Sequence, residues 1–257
     1  KTGTIVPEYE RDFYSPPRDI QSHVICITDF TRRYLIDTLR IPEEEVFLVY
    51  QGTEVSRFTR DEERRREAEK RYVLPSNAAP ILGSVGSFEH RKGQVVLLEA
   101  VAEIRRTLPN VHLVLVGDGP DEQLLNNAVA EMGLEANVTF FAFTREPVHV
   151  FEIIDILVLS SLYKEGLPNV LLEAMSMNLP VVASRLAGVP EVVIDGRTGR
   201  LTEPGDVHGL ARAVELLWED PAACREMGNE GRKLMVEKFD KVHQFDAFLD
   251  HFATYAD

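Results

Sequence analysis

The stretch that decides the fold runs from Tyr163 to Asn178 and reads YKEGLPNVLLEAMSMN. The apolar segment Ile156–Leu159 lies just before it and predicts a short buried strand. Gly166 and Pro168 end that strand, and Pro168 suits the first position of a helix, where its missing N–H would be unpaired anyway. The apolar spacing that follows predicts a helix with one buried face. The residues on that face are Val170, Leu171, Ala174, Met175 and Met177.

The start of this helix predicts an anion site. We expect the backbone N–H groups of Leu167, Asn169 and Val170 to be unpaired there, because the first turn of a helix has no internal acceptors for them. A helix amino terminus also carries partial positive charge. The segment is therefore suited to hold a phosphate group.

Two carboxylates flank the predicted phosphate site. Glu165 lies in the loop and Glu173 on the helix, with seven residues between them. The helical part spans about 8 Å, and with the loop it matches the reach from a sugar ring to a ribose across a diphosphate. Carboxylates repel phosphate but accept hydrogen bonds from hydroxyl groups. Two alternatives stay open, namely that Glu165 is a solvated loop residue and that Glu173 pairs with a neighbour on its helix.

Composition narrows the class of partner. The 257 residues carry 28 Lys and Arg against 42 Asp and Glu, and the net charge of −14 argues against a nucleic-acid partner. The two cysteines, Cys26 and Cys224, are far apart and predict buried thiols rather than a disulfide or a metal site. No apolar run has transmembrane length, and the start lacks a signal-peptide pattern. We expect a cytoplasmic protein.

Strands and helices alternate through the middle of the chain. Six apolar segments between Ile81 and Thr202 predict strands, and the segments between them include helices expected over Gln94–Leu108 and Glu191–Ile194. Such alternation predicts an α/β class, a Rossmann-like parallel sheet with helices on both faces. Ligands of these sheets bind beyond the carboxyl ends of the strands, and Glu165 follows such an end.

A smaller unit precedes this sheet. His23–Thr28 and Val46–Tyr50 predict two strands, joined by a helix over Thr31–Leu39 that Asp29 or Thr31 caps. This βαβ unit is too small to form a stable sheet alone. The charged run Asp61–Arg71 after it predicts a solvated helix or linker.

The run from Asp155 to Asp206 closely resembles the family-4 retaining glycosyltransferases, which have the GT-B fold. Glu165–Met175, EGLPNVLLEAM, matches their signature of two glutamates separated by seven residues, and LPVVAS from Leu179 and GVPEVV from Gly188 extend the match. The resemblance implies that Glu165 binds hydroxyl groups of a donor sugar and Glu173 those of a ribose. The diphosphate would then lie against the helix start, together with Gly166.

A second loop of the family meets the same diphosphate. It carries an Arg directly after its first Gly and a Lys before the next Gly. The loop here is Gly86–Gly93, GSFEHRKG, in which Gly86 and Lys92 match and Ser87 stands in the place of the Arg. Either Arg91 takes over, or Ser87 donates a weaker, neutral hydrogen bond. The alternative is that Arg91 and Lys92 are surface charges before a helix.

Other polar segments carry weaker predictions. Val116–Pro120, VGDGP, predicts a tight turn, and the resemblance places the nucleotide base near the backbone of Ala142–Arg145. His90, His112 and His149 do not form a metal-ligand set, and His112 is expected to be structural. We expect no metal and no cofactor besides the donor substrate, a UDP-sugar or GDP-sugar.

The resemblance also divides the chain. Residues 1–78 correspond to the end of an amino-terminal acceptor domain with its linker, and residues 1–19 of this part are expected to be an irregular arm. Residues 79–239 correspond to the donor domain, and 240–257 to a helix that crosses back onto residues 20–52. We expect an apolar stripe on this helix to pack there. The stripe consists of Val242, Phe245, Phe248, Leu249, Phe252 and Tyr255.

The implied function is transfer of a hexosyl group from a nucleoside diphosphate sugar to an unidentified glycan, lipid or small-molecule acceptor, with retention at the anomeric carbon. A complete Rossmann-like domain needs on the order of 100 residues, so with its start at Lys1 we expect a fragment that binds nucleotide but transfers little or nothing. Two alternatives remain: a non-enzymatic nucleotide-sugar-binding subunit, and a GT-B enzyme of another class such as a nucleotide-sugar epimerase or a phosphorylase.

Overall fold

A computed structural model of the chain describes residues 23–253. The arm expected over residues 1–19, and Tyr255 of the predicted stripe, lie outside the described residues. The described part contains two parallel sheets, one of two strands and one of six. None of its helices has the length and apolar character needed to cross a bilayer.

The two-stranded sheet belongs to the amino-terminal unit. Strand β1 (Val24–Cys26) pairs in parallel with β2 (Val46–Leu48), as predicted. Between them, α1 (Asp29–Arg33) continues directly as a π-helix over Tyr34–Thr38. Residues whose side chains form this unit's own small core are Cys26, Leu35, Ile41 and Val46.

Two details predicted for this unit are wrong. The cap of α1 is neither Asp29 nor Thr31 but Thr28, whose hydroxyl accepts a hydrogen bond from the backbone N–H of Thr31 at 3.1 Å. The helix is also not a regular one, because its second half has the wider π turn. A π turn follows from tertiary packing, so the apolar spacing of the sequence does not reveal it.

The six-stranded sheet confirms the predicted Rossmann-like class. Its strand order is β5-β4-β3-β6-β7-β8, and all neighbouring strands are parallel. The strands are β3 Ile81–Val85, β4 His112–Val116, β5 Val138–Phe141, β6 Ile156–Leu159, β7 Val181–Ser184 and β8 Arg200–Thr202. From β3, the chain first adds β4 and β5 on one side and then returns to add β6, β7 and β8 on the other side. The carboxyl ends of β3 and β6 therefore form the switch point at which ligands of such sheets bind.

Helices cover both faces of this sheet. Along β6, Ile156 and Val158 pack in one hydrophobic core, whereas Leu157 and Leu159 pack in the other, so this strand is buried on both sides. The helices are α2 Glu62–Arg71, α3 Gln94–Ile104, α4 Glu122–Glu131, α5 Val148–Ile153, α6 Asn169–Ser176, α7 Val207–Glu219, α8 Pro221–Lys238 and α9 Lys241–Ala253. Helix α3 ends before the predicted Leu108, and a 3₁₀ turn at Val189–Glu191 replaces the helix expected over Glu191–Ile194.

Helix α2 is largely solvated, as its charges predict, but it is also fixed to the large sheet. The anchor is Glu152 on α5, whose side chain is almost completely buried. It accepts hydrogen bonds from the backbone N–H of Asp61 at 3.0 Å and from Nε of Arg64 at 2.9 Å. A buried carboxylate with these charged and neutral donors is compensated, so the linker helix has a defined position.

The chain crosses between the amino-terminal unit and the large sheet twice, near Thr53 and near Asp240. The two crossing segments lie side by side and hydrogen-bond to each other. The N–H of Thr53 donates to the carbonyl of Phe239 at 2.9 Å, and the N–H of Lys241 donates to the carbonyl of Thr53 at 2.8 Å. Helix α9 then reaches the amino-terminal unit through His251, whose ring centroid lies 4.1 Å from that of Phe47. The side chain of Gln244 also accepts a hydrogen bond from the N–H of Gly52.

Most of the apolar stripe of α9 is exposed to solvent. Its members Val242, Phe245, Leu249 and Phe252 are each more than half exposed, so the prediction that the stripe packs on the amino-terminal unit is wrong for these four residues. Phe248 is half-buried. Apolar spacing identifies one face of a helix, but it does not identify what covers that face. The division of the chain into acceptor and donor parts stays a prediction.

Candidate functional site

The loops that follow β3 and β6 meet at the switch point. The N–H of Leu162 donates to the carbonyl of Arg91 at 2.8 Å, and the hydroxyl of Ser160 donates to the carbonyl of Lys92 at 3.0 Å. Gly93 has a φ of +66°, and a Cβ there would lie 2.1 Å from the Ser160 carbonyl oxygen. Only glycine permits this close approach of the two loops. As a result, Lys92 lies beside the residues that follow Ser160, in one site.

Glu165 is buried at this junction, so the alternative of a solvated loop residue is wrong. Its Oε1 accepts hydrogen bonds from Nζ of Lys92 at 2.5 Å and from the hydroxyl of Ser161 at 2.7 Å, and Nη1 of Arg91 lies 3.7 Å away. Within residues 23–253, no hydrogen bond or ion pair uses Oε2. The carboxylate is therefore held through Oε1, and Oε2 has no partner among residues 23–253.

The Gly86–Gly93 loop positions its charged residues through a glutamate that the sequence reasoning missed. Glu89 Oε2 accepts a hydrogen bond from Nε of Arg91 at 2.6 Å. The hydrogen bonds from Arg91 and from the Ser87 hydroxyl lower the pKa of Glu89. Arg91 and Lys92 are thus both engaged beside Glu165, and neither is a free surface charge.

The space in front of these groups is open. A Cβ built at Gly86 or at Gly166 would meet no atom within 4 Å. Both glycines lie at the carboxyl ends of the strands, in the loops that carry Lys92 and Glu165. A ligand can therefore approach the backbone closely at both positions.

The start of α6 has the unpaired donors that the sequence predicts. The N–H groups of Leu167, Asn169 and Val170 donate no hydrogen bond to any residue that the structure describes. The predicted place of Pro168 is wrong: it is the cap, with ψ of 125°, and Asn169 is the first helical residue. An unpredicted contact comes from the amino-terminal unit, because Nε2 of Gln51 donates to the Asn169 side chain.

Glu173 has no partner among the described residues. It lies half-buried on α6, and the alternative that it pairs with a helix neighbour is wrong. Burial raises its pKa, and the positive charge of Arg57 opposes this effect. A partly desolvated carboxylate without a donor destabilises a fold, so its presence favours a role with a ligand.

The histidines serve other contacts. His112 is structural as predicted, since Nε2 lies 2.8 Å from the Thr139 hydroxyl and burial lowers its pKa. Nδ1 of His90 lies 3.3 Å from the hydroxyl oxygen of Tyr163. Within residues 23–253, no three His, Cys, Asp or Glu side chains are gathered as a metal site would require. Both cysteines are free, but only Cys26 is fully buried.

The chain is similar to several curated glycosyltransferases. It is 33% identical over 190 residues to the GDP-mannose-dependent alpha-(1-6)-phosphatidylinositol monomannoside mannosyltransferase of Mycolicibacterium smegmatis, covering 70% of this chain and 49% of that protein. It is 32% identical over 219 residues to the alpha-D-kanosaminyltransferase of Streptomyces kanamyceticus, covering 84% of this chain and 56% of that protein. The chain thus spans about half the length of the curated relatives it matches.

The fold is similar to that of Anabaena Alr3699/HepE, solved in complex with UDP-glucose. The TM-score is 0.83 at 24% sequence identity, over 91% of this chain and 64% of that one. Residues 65–234 match the family model described as glycosyl transferases group 1. The matched range includes both Glu165 and Glu173. The chain therefore belongs to the group 1 glycosyl transferases.

Proposed function

We propose that this chain is the donor-binding part of a retaining family-4 glycosyltransferase that transfers a hexosyl group from a nucleoside diphosphate sugar. One observation carries the proposal: Glu165 and Glu173 flank the unpaired N–H groups at the start of α6, beside the switch point of the sheet. The relative that depends on GDP-mannose and the fold neighbour that holds UDP-glucose support a GDP-sugar or a UDP-sugar as the donor.

The diphosphate lies against the start of α6 in this proposal. The N–H groups of Leu167, Asn169 and Val170 donate to its oxygens, as they do for anions at other helix amino termini. Lys92 and Arg91 add full positive charge where negative charge develops on the leaving group. The Ser87 hydroxyl, which here hydrogen-bonds to Glu89, turns from that carboxylate to give the diphosphate a neutral hydrogen bond, and the open space at Gly86 and Gly166 accommodates the phosphate groups.

The two carboxylates bind the ends of the donor. The free Oε2 of Glu165 accepts hydrogen bonds from hydroxyl groups of the transferred sugar, while Lys92 and Ser161 hold Oε1. Glu173 accepts hydrogen bonds from the ribose hydroxyls, which would give its carboxylate the donors that it lacks here. The separation between Glu165 in the loop and Glu173 on α6 thus sets the length of donor that fits.

The reaction needs no nucleophile from the protein. The acceptor hydroxyl oxygen attacks the anomeric carbon on the face that the diphosphate leaves, and the bond from that carbon to the diphosphate oxygen breaks. The acceptor proton passes to a phosphate oxygen of the leaving group, so the products are a glycoside of retained configuration and a nucleoside diphosphate. We assign no metal and no further cofactor, since backbone N–H groups, Lys92 and Arg91 supply the positive charge.

A second candidate function is a non-enzymatic nucleotide-sugar-binding subunit. Ser87 favours it, because a neutral donor replaces the Arg that the family places on the diphosphate and charge-assisted bonds are about twice as strong. Both candidates predict nucleotide binding. They differ in whether glycosyl transfer appears when the acceptor half of the protein is supplied.

Titration calorimetry on the purified chain tests the proposal. We expect one of UDP, GDP and ADP, with its sugar, to bind, and Glu173→Ala to weaken that binding about ten- to a hundredfold. Glu131→Ala is the matched control, because Glu131 is an exposed carboxylate on α4 far along the chain from the site. Failure of all three nucleotides to bind would overturn the proposal.

The same purified chain tests the expectation of inactivity. Because it covers about half of its relatives, we expect it to bind donor without transferring the sugar. Glycosyl transfer by the 257-residue chain would contradict this expectation. An altered sugar nucleotide formed from donor alone would instead identify an epimerase.

A further inference from the structure

A pocket of about 290 Å³ lies at the amino ends of β6 and β7, at the edge of the large sheet opposite to the proposed donor site. Asp155 and Pro180, which directly precede these strands, line one side of it. The end of α7 and the start of α8 line the other side through Trp218 and Arg225. Small-molecule sites in proteins begin at about 300 Å³, so this pocket suits a small ligand. The proposed donor site uses none of the residues that line it.

Contacts of the folded chain fix the walls of this pocket. A Cβ at Gly228 would lie 2.1 Å from the carbonyl oxygen of Asn178, so α8 packs closely on the end of α6. Arg60 lines the pocket from the linker before α2, where its Nη1 donates to the carbonyl of Phe151 at 2.7 Å and its Nε to that of Met177 at 3.2 Å. The pocket is therefore preformed, as most small-molecule sites are.

Two opposite charges in the lining are left without an ion pair among the described residues. Oδ2 of Asp155 accepts a hydrogen bond from the N–H of Ile81 at 2.8 Å, but within residues 23–253 its Oδ1 has no partner. The guanidinium of Arg225 makes no hydrogen bond or ion pair within this range. Both charges act on Cys224, since burial raises the pKa of its thiol, Asp155 raises it further, and Arg225 lowers it. The carboxylate and the guanidinium thus lie near one side chain without pairing with each other.

An apolar surface completes the lining. Trp218, the single tryptophan of the chain, is half-buried there, together with Leu217 and Pro221. An aromatic ring of this size offers a large apolar contact area. The pocket therefore combines an apolar wall with two charged groups that can fix the orientation of a ligand.

The two unpaired charges favour a ligand that itself carries both signs. A carboxylate matches the planar guanidinium of Arg225, which offers parallel N–H donors. An ammonium group can donate to Oδ1 of Asp155. Asn178 adds an acceptor, because its Nδ2 donates to Asn229 at 2.9 Å and its Oδ1 has no partner among the described residues. A purely anionic ligand would be repelled by Asp155, and a neutral one would leave both charges unpaired.

We propose that this pocket binds a free α-amino acid with an apolar side chain, as the zwitterion. The carboxylate pairs with Arg225, the ammonium group donates to Asp155 and Asn178, and the side chain packs on Trp218. The chain thereby has a second ligand site, at the end of α6 opposite to the helix start that would hold the donor. The inference goes beyond the proposed function and does not rest on it, since none of these residues belongs to the donor site.

Ligand-observed NMR titration of the purified chain tests this assignment. The probes are the free amino acids leucine, isoleucine, methionine and phenylalanine. Each is compared with its amide, which lacks the carboxylate, and with its N-acetyl derivative, which lacks the ammonium group. We expect at least one amino acid to bind, and both of its derivatives to bind at least tenfold more weakly. Absence of binding by all four amino acids, or equal binding of both derivatives, would overturn the inference.

The fluorescence of Trp218 gives a second readout, because the chain has no other tryptophan. The emission should change on titration of the amino acid, with the same midpoint as the NMR signal. Binding that leaves the emission unchanged would mean that the amino acid lies away from Trp218, which contradicts the inference.

Variants assign the binding to this pocket. Arg225→Gln should weaken amino-acid binding at least tenfold, and Asp155→Asn at least fivefold. Both variants should fold, because Arg225 has no ion pair within residues 23–253 and an asparagine side chain can still accept the hydrogen bond from Ile81. Lys233→Gln, which removes an exposed cation of α8 outside the pocket, should leave the affinity unchanged. Unaltered affinity in both pocket variants would overturn the inference.

Nucleotide binding in the same samples separates this inference from the proposed function. UDP or GDP affinity should stay unchanged in Arg225→Gln, because Arg225 lies at the opposite edge of the sheet from the donor site. A chain that binds a nucleotide but no amino acid overturns the second site and leaves the proposed function standing. A chain that binds an amino acid but no nucleotide supports the second site and overturns the proposed function.

Discussion

The two glutamates of the proposed donor site lie on the same short segment but in opposite surroundings. Glu165 is buried and its Oε1 receives donors from Lys92 and Ser161, whereas Glu173 is half-buried and has no donor among the described residues. The first carboxylate is thus fixed before any ligand arrives. The second carries an uncompensated desolvation cost that a ligand would remove. The difference teaches that one sequence signature can place one carboxylate in fixed contacts and leave the other without a hydrogen-bond donor.

Removal of Glu165 should have the largest effect on stability. Glu165→Ala leaves the ammonium of Lys92, whose side chain is only 17% exposed, without its carboxylate. Breaking such a buried pair costs about 3 kcal/mol or more. Urea unfolding should show a loss of this size, and a loss below about 1 kcal/mol would mean that the pair is solvated.

Glu173→Ala should show the opposite pattern, a change in binding with little change in stability. Loss of hydrogen bonds to a charged acceptor should weaken nucleotide binding about ten- to a hundredfold. The free energy of unfolding should stay equal or rise, because a partly desolvated charge is removed. Calorimetry and urea unfolding on the same samples measure both effects, with Glu131→Ala as the control. A clear loss of stability would contradict the comparison.

Arg91 should have a smaller effect, on the phosphate groups alone. Arg91→Ala should weaken UDP or GDP binding about tenfold, the value of one charge-assisted hydrogen bond, and leave binding of the free nucleoside unchanged. Adding Ser87→Arg to this variant should restore most of the affinity, because it returns an Arg to the place where the family has one. No rescue, in a variant that folds normally, would show that Arg91 does not substitute for that Arg.

The smallest expected effect is on pH dependence. Burial raises the pKa of Glu173 above its ordinary value of 4.5, so the folded chain holds this proton more tightly than the unfolded chain does. The stability that comes from this group is therefore fully present below the ordinary pKa and lost as pH rises through the raised one. Relative to Glu173→Gln, the wild-type chain should be less stable at pH 7 than at pH 4.5. Urea unfolding at both values measures the difference, and a constant difference would contradict the prediction.

The large sheet was predictable because its strands are short apolar segments between helices. Ile156–Leu159 reads as a buried strand since all four side chains are apolar, and the structure buries them on both faces. The π-helix was not predictable, because Tyr34–Thr38 has the same composition that a regular helix would have. The stripe from Val242 to Phe252 was identified as a face, but the residues that approach α9 meet His251 and Gln244 instead.

The sequence predicted most residues of the candidate site, but it did not predict which of them contact each other. Lys92 and Glu165 were selected by their motifs, but their ion pair depends on β3 lying beside β6, which strand order decides. Ser161 and Glu89 belong to no pattern, so nothing in the sequence marked them. Their roles follow from loop contacts that only the folded chain forms.

The paired crossing segments between the two units have a mechanical consequence. Thr53 forms a parallel bridge with Asp240, and a Cβ at Gly52 would lie 2.9 Å from the carbonyl of Asp240. Any rotation of the amino-terminal unit relative to the large sheet must therefore bend both crossing segments at the same place, which would act as one hinge axis. The bonds from Gln51 to Asn169 and from Phe30 to Glu191 lie across the gap and would part together in that rotation.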